Sequence, residues 1–231
     1  MNCASRLVRL VVILSVVVFC IPGLAPAEGE GDEKVRECAE VLRESLEMPE
    51  EGIPRGILSN AYGVVIFPQL IKAGFMVGLR HGSGVLCVRR AEDLWSPPVF
   101  VYLSGGSFGW QAGVEAADIV LVLKSPSSVA RMAEEKLTLG ADASVAAGPV
   151  GRHAEVGADV LLQSEIFAYS RTKGLFAGAA LEGAVLHHND EANAVFYGLD
   201  PVSAEAIFGG EIKVVPESAQ ELMRLLEEYT E

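Results

Sequence analysis

Residues Gly105-Gly106-Ser107-Phe108-Gly109 fit the G-x-S-x-G pattern in which a serine hydrolase presents its nucleophile, with His153 or His187 available elsewhere as a base. That chemistry needs a strand before the serine and a helix straight after it, so that the hydroxyl stands on a sharp turn. The residues that follow do not supply the helix. Phe108, Trp110, Ala112 and Val114 alternate with Ser107, Gly109, Gln111, Gly113 and Glu115, which is the period of a strand. Ser107 is therefore expected inside a strand, and no catalytic residue is assigned. The surrounding glycines suit a sheet that bends tightly or admits a neighbouring backbone.

Other reactive side chains give weaker patterns. His187-His188-Asn189-Asp190 offers nitrogen and oxygen ligands, but no second cluster stands at a metal-binding spacing, so a polar turn before a short helix is expected and no metal or cofactor. Asp118, Asp142, Asp159 and Glu182 are acids inside strand-like runs, where structural hydrogen bonding or a place at a barrel mouth is expected rather than acid–base catalysis. Trp95 and Trp110 suit the core or a rim. Seven cations, Lys72, Arg80, Arg89, Arg90, Arg152, Arg171 and Lys173, flank the glycine-rich segments. Either they are scattered surface charges, or a curling sheet gathers several of them at one mouth, where guanidinium groups beside free backbone N–H suit a phosphate. Lys72, Arg80, Arg89, Arg171 and Lys173 form the candidate lipid site.

The elements that must position these groups follow from the rest of the chain. Residues 1–27 carry Arg6 and Arg9, an apolar run from Leu10 to Ile21, a break at Pro22-Gly23 and the small-residue end Ala25-Pro26-Ala27, the pattern of a secretory signal peptide cut after Ala27. The run is short for a membrane span, and no later stretch of about 18 charge-free apolar residues follows it. The expected location is periplasmic or extracellular. The whole chain holds 18 Lys and Arg against 31 Asp and Glu, a formal charge of −13. Without the two leader arginines the charge becomes −15, which disfavours nucleic acid as a partner. Cys38 and Cys87 then remain, as a disulfide or as two buried thiols.

Residues 28–52 form an acidic helical segment, with ten acids against Lys34, Arg36 and Arg43, docking through Val35, Cys38, Leu42 and Leu46. A short helix is expected after Pro54. Strands are expected over Val64–Phe67, closed by Pro68, over Gly74–Arg80, Val85–Arg89 and Val99–Leu103, and then helices over Pro126–Lys136 and Glu217–Tyr229, the latter burying Leu222, Leu225 and Leu226. Gly105–Glu115, Ala141–Gly148 and Gly174–Gly183 share a small-residue texture and read as related β-hairpin units. The fold class is α+β, a strongly curved, mostly antiparallel, Gly/Ala-rich sheet or barrel with flanking N- and C-terminal helices, over a domain spanning 53–231.

From Ile53 to Gly198 the chain resembles the SYLF domain family. The resemblance is carried by IPRGILSNAYGVVIFP at 53–68, the segment 74–90, WSPPVF at 95–100, GGSFGWQAGVE at 105–115, LGADASVAAGPVGR at 139–152, AYSRTKGLFAGAALEG at 168–183 and NDEANAVFYG at 189–198. It implies a non-enzymatic module that binds acidic phospholipids or phosphoinositides, and in eukaryotic members actin as well. The eukaryotic members are thought to dock with a basic N-terminal helix, whereas 28–52 is acidic here and would be repelled by an anionic bilayer. Phospholipid binding at the cell envelope, with peripheral membrane contact, is the leading expectation. A structural or protein-interaction module with an envelope partner is the alternative, and a Ser107 hydrolase a distant third. N-terminal sequencing of the exported product should return Glu28 as its first residue; an intact Met1 or a lipid-modified Cys20 would overturn the leader reading.

Overall fold

The computed structural model describes residues 29–48, 52–90, 94–133, 136–149, 164–172, 175–178 and 181–230. The leader, Arg152, His153, Asp159 and Lys173 lie outside them. The elements run α1 (Glu30–Glu47), α2 (Arg55–Ser59), β1 (Gly63–Val88), β2 (Val99–Leu123), α3 (Pro126–Ala133), β3 (Lys136–Thr138), β4 (Val145–Ala147), β5 (Ile166–Thr172), β6 (Leu175–Gly178), β7 (Val185–His188), α4 (Asp190–Tyr197), α5 (Ala204–Gly209) and α6 (Glu217–Thr230).

Two strands dominate, and each is longer than the sequence pattern suggested. β1 pairs antiparallel with β2 from Gly63↔Leu123 to Leu86↔Val99, so the runs expected as separate strands fuse into one ribbon. Pro68 does not close a strand. It sits in a bulge, where Pro68 and Gln69 both lie between the pairs Phe67↔Ile119 and Leu70↔Ala117, and a bulge tolerates the missing N–H. Gln69 takes the left-handed backbone (φ 53) there.

The ribbon folds back so that the two ends of β1 meet. Arg89 N donates to Tyr62 O at 2.8 Å. A side chain on Gly63 would stand 3.3 Å from Cys87 O, one on Gly82 3.1 Å from Leu70 Cα, and one on Gly84 would overlap Ile66 O. The inner arms are thus the two halves of β1 and the outer arms the two halves of β2. The outer path round a bend is longer, and the register shows it: between Gly74↔Gly113 and Met76↔Gly109, β1 spends one residue and β2 three. Gly105–Glu115 is therefore the middle of one long strand, and Ala141–Gly148 a turn leading into the three residues of β4, so neither is a hairpin unit.

The outer arms recruit the remaining strands. The first arm of β2 pairs with β7, which pairs with β3; the second pairs with β5, which carries β6 and, in parallel, β4. The product is the expected strongly curled, mostly antiparallel half-barrel sheet with flanking helices.

Both faces are covered away from the bend. Val65, Phe67, Leu86, Val101, Leu121 and Leu186 belong to a core with α3, α5 and residues 202–212, while Val64, Ile66, Cys87, Val120, Val122 and Phe167 belong to a second core with α1 and α6. That double coverage explains why Val64–Phe67 and Ile119–Leu123 are unbroken apolar runs rather than alternating ones. α1 buries Ala39, Val41 and Ser45 beside the expected Val35, Cys38 and Leu42. α6 buries Leu222, Leu225 and Leu226 as its spacing predicted. Cys38 and Cys87 are free buried thiols, and burial pushes both thiol pKa values up.

Replacing Gly84 with Ala should cost about 3 kcal/mol, because the added Cβ meets backbone rather than a movable side chain. Gly106→Ala, with nothing within 4 Å, should be nearly silent. In the same urea-unfolding series Ser107→Ala should cost little and Gly109→Val or Gly113→Val about 1 to 3 kcal/mol. Equal midpoints for all five variants would refute the bend described above.

Candidate binding surface

Asp118 and Arg171 are direct partners across the β2–β5 ladder, so both side chains leave the same face of the sheet. Arg171 donates from Nε and Nη2 to Asp118 Oδ2 at 2.9 and 2.6 Å, and its Nη1 pairs with Glu44 of α1. The other oxygen of Asp118 accepts the N–H of Gln69, at 3.0 Å, in the β1 bulge. Burial opposes the Arg171 charge, yet hydrogen bonding to Asp118 and the charges of Asp118 and Glu44 outweigh it and hold its pKa above the usual arginine value. This cluster joins three elements, and the cation is balanced by two carboxylates.

The other candidate cations are spread along β1. Lys72 is exposed opposite Glu115, and Arg80 is half-buried opposite Gly105, both near the bend. Arg89 lies where the ends of β1 meet, donating from Nη1 to Ser59 O at 2.9 Å with its guanidinium 5.3 Å from the Trp95 ring centroid. Arg90 donates to Gly209 O at 2.9 Å. Lys72 and Arg80 therefore share the bend, whereas Arg89 and Arg171 hold neighbouring elements.

Among the described residues, several of the groups considered for catalysis have a structural place. Ser107 is a ladder residue opposite Gly78 in mid-strand, the context expected for it, and not at the start of a helix. Asp142 accepts from Thr138 N at 2.6 Å, and that bond lowers its pKa. His188 Nε2 lies 2.7 Å from Met132 O, and His187 stacks on Tyr102 with centroids 4.9 Å apart. Asn189 then caps the short helix α4, accepting from Ala192 N. Among the described residues no group of three or more His, Cys, Asp or Glu is placed to hold a metal ion.

The uncovered apolar residues were not foreseen as a group. Ile71, Leu79 and Val114 are 50%, 71% and 78% exposed. Ile71 pairs with Ala116, Val114 with Ala73 and Leu79 with Gly106, and strand alternation puts the three on the face that carries α1 and α6 farther along. Lys72 and Arg80, on the adjacent rungs, alternate onto the opposite face. The sequence signal was the alternation of Leu79 against Arg80; which end the helices leave bare depends on how they pack.

A curled sheet that leaves Ile71, Leu79 and Val114 exposed near its bend suits a binding module. The family model for Ysc84, described as a Las17-binding protein actin regulator, matches residues 104–229, and the chain belongs to that family, the SYLF group it resembled. An SH3 domain-containing YSC84-like protein 1 from Xenopus laevis is 36% identical over 202 residues, covering 85% of this chain and 60% of the relative. Protein YSC84 of Saccharomyces cerevisiae is 38% identical over 202 residues, covering 84% and 42%. The Homo sapiens YSC84-like protein 1 is 34% identical over 204 residues, covering 86% and 59%. The chain thus spans about half the length of the curated relatives it matches.

Arg171→Ala should lower stability by about 2 to 3 kcal/mol, the scale of charged hydrogen bonds lost with two carboxylates left facing each other. Asp118→Asn should cost less than Arg171→Ala, because an amide oxygen can still accept from Gln69 N. Chemical denaturation of the two variants checks the order, and an unchanged midpoint for Arg171→Ala would refute the fastening role.

Proposed function

We propose that this chain is a non-enzymatic docking module that engages a protein partner through the bend of the β1–β2 ribbon, in the cell envelope or outside the cell if its leader directs export. The observation that carries the reading is the bare patch of Ile71, Leu79 and Val114. Among the described residues it lies beside a sheet whose faces are otherwise largely covered, in a family described by what its members bind. The Las17 binding and actin regulation printed for the family describe those proteins; what transfers to this chain is the capacity to hold a partner.

Lys72 and Arg80, on adjacent rungs of the same bend, favour a second reading, peripheral contact with an acidic phospholipid. Apolar residues would enter the headgroup region, and the cations would meet phosphate within a Debye length of ~8 Å. Arg89, Arg171 and Lys173 complete the candidate lipid set from the sequence, with Arg171 acting through its hold on the bend rather than as an open cation.

A photo-crosslinking residue in place of Leu79 separates the readings. Adducts to one discrete protein in the native host, lost when Ile71 and Val114 are changed to serine, are expected. Lipid adducts alone, together with flotation on acidic vesicles abolished by Lys72→Glu and Arg80→Glu, would replace the protein reading with the lipid one. Labelling of Ser107 by a fluorophosphonate would overturn the non-enzymatic assignment.

A further inference from the structure

A concave surface lies where the first turn of α1 faces α4. It is a cavity of about 650 Å³ bordered by Gly29, Glu30, Asp32, Phe100, Val195, Phe196 and Val214, among others. Its size and mainly apolar lining are those of a site that takes a few side chains of a ligand. The floor is built rather than accidental. Phe100 and Phe196 meet edge to face with centroids 5.0 Å apart, Phe196 meets Tyr197 in the same way at 4.9 Å, and a Cβ on Gly31 would stand 2.7 Å from Phe196 Cδ2. Gly31 therefore lets the helix pass close over the aromatic pair. At the mouth Val195 and Val214 are 37% and 78% exposed, apolar groups at a rim where charge is the usual occupant.

The charge around that floor is mostly negative. Glu30, Asp32 and Lys34 border it, and Lys34 is bonded to Glu37 at 2.5 Å. With these residues included, α1 holds seven acids and three bases, and α6, packed beside it, four acids and one base. Part of this charge is internal: Asp32 accepts from Ser218 Oγ and Arg43 pairs with Glu221. The excess remains negative. An apolar ligand carrying carboxylates or phosphates would meet repulsion here, and one carrying lysine or arginine beside its apolar groups would meet attraction.

We propose that this groove is a docking site for a peptide segment of a partner protein in which apolar residues are flanked by Lys or Arg. The apolar side chains fill the space over Phe100 and Phe196, and the flanking cations face Glu30 and Asp32. The surface is distinct from the ribbon bend, so the proposal shares with the preceding reading only the premise that the chain holds proteins. It also gives a use to the acidic helix that would keep α1 off an anionic membrane.

The test uses a fluorescein-labelled synthetic peptide with two leucines flanked on each side by lysines, and two relatives of it, one with serine for leucine and one with glutamate for lysine. Anisotropy titration of the mature chain should give saturable binding of the first peptide at physiological salt. The serine peptide should bind at least about tenfold more weakly and the glutamate peptide not at all. Val195→Arg with Val214→Arg, both at exposed positions, should weaken the first peptide at least about tenfold, whereas Leu79→Ser should leave it unchanged. Should the double variant unfold, a photoreactive leucine in the peptide decides on the wild-type chain, with adducts expected on residues bordering the groove. Equal binding of the leucine and serine peptides, binding unaffected by the double variant, or adducts mapping elsewhere would each overturn the proposal. Loss of crosslinking at Leu79 with peptide binding intact would overturn the bend reading alone.

Discussion

Everything in this fold depends on a ribbon of two long strands turning back until its own ends meet. An antiparallel ladder between Gly63–Val88 and Val99–Leu123 can bend so sharply only if the inner arms come into contact without side chains between them. Gly63, Gly82 and Gly84 remove those side chains along the β1 arms, and β2 adds residues on the outside of the turn. Once the ribbon is bent, its outer arms present two separated edges. β7 takes one and β5 the other, so the curl of the whole sheet follows from the curl of one pair of strands.

The bend is held by polar contacts as well as by packing. Asp118 occupies the one place where β1 bulges, and its carboxylate satisfies the stranded N–H of Gln69 with one oxygen and Arg171 with the other. Arg171 in turn reaches Glu44, so α1 is fastened to the sheet at the bulge rather than resting on it through apolar contact alone. Charged hydrogen bonds in a half-buried setting are directional, and direction is what a bulge requires. The same economy holds elsewhere: Arg89 ties the end of α2 to the junction of the β1 ends, and Asp142 closes the turn between β3 and β4.

On the proposed readings, the chain meets other molecules through surfaces that its helices leave exposed. The bend offers aliphatic side chains with cations behind them. The groove beside α4 offers aromatic rings under an acidic rim. If both proposals hold, the two surfaces differ in electrostatic character, and a molecule suited to one would be discouraged by the other. That division is compatible with a family whose members are described by what they bind.

Much of this was legible in the sequence because it is local. Period-two alternation placed Ser107 in a strand, three- and four-residue spacing fixed α1 and α6, and the density of small residues announced a curved sheet. What the sequence could not determine was which distant residues meet. Pro68 looked like the end of a strand because local rules do not reveal that Asp118, paired through a ladder, satisfies the bulge beside it. Arg171 looked like an open cation for the same reason, since Asp118 and Glu44 reach it only after β2, β5 and α1 are assembled. Propensity and periodicity are properties of neighbours along the chain. Ion pairing, the bareness of Ile71, Leu79 and Val114, and the groove over Phe100 and Phe196 are properties of neighbours in space, and only the bent ribbon decided those.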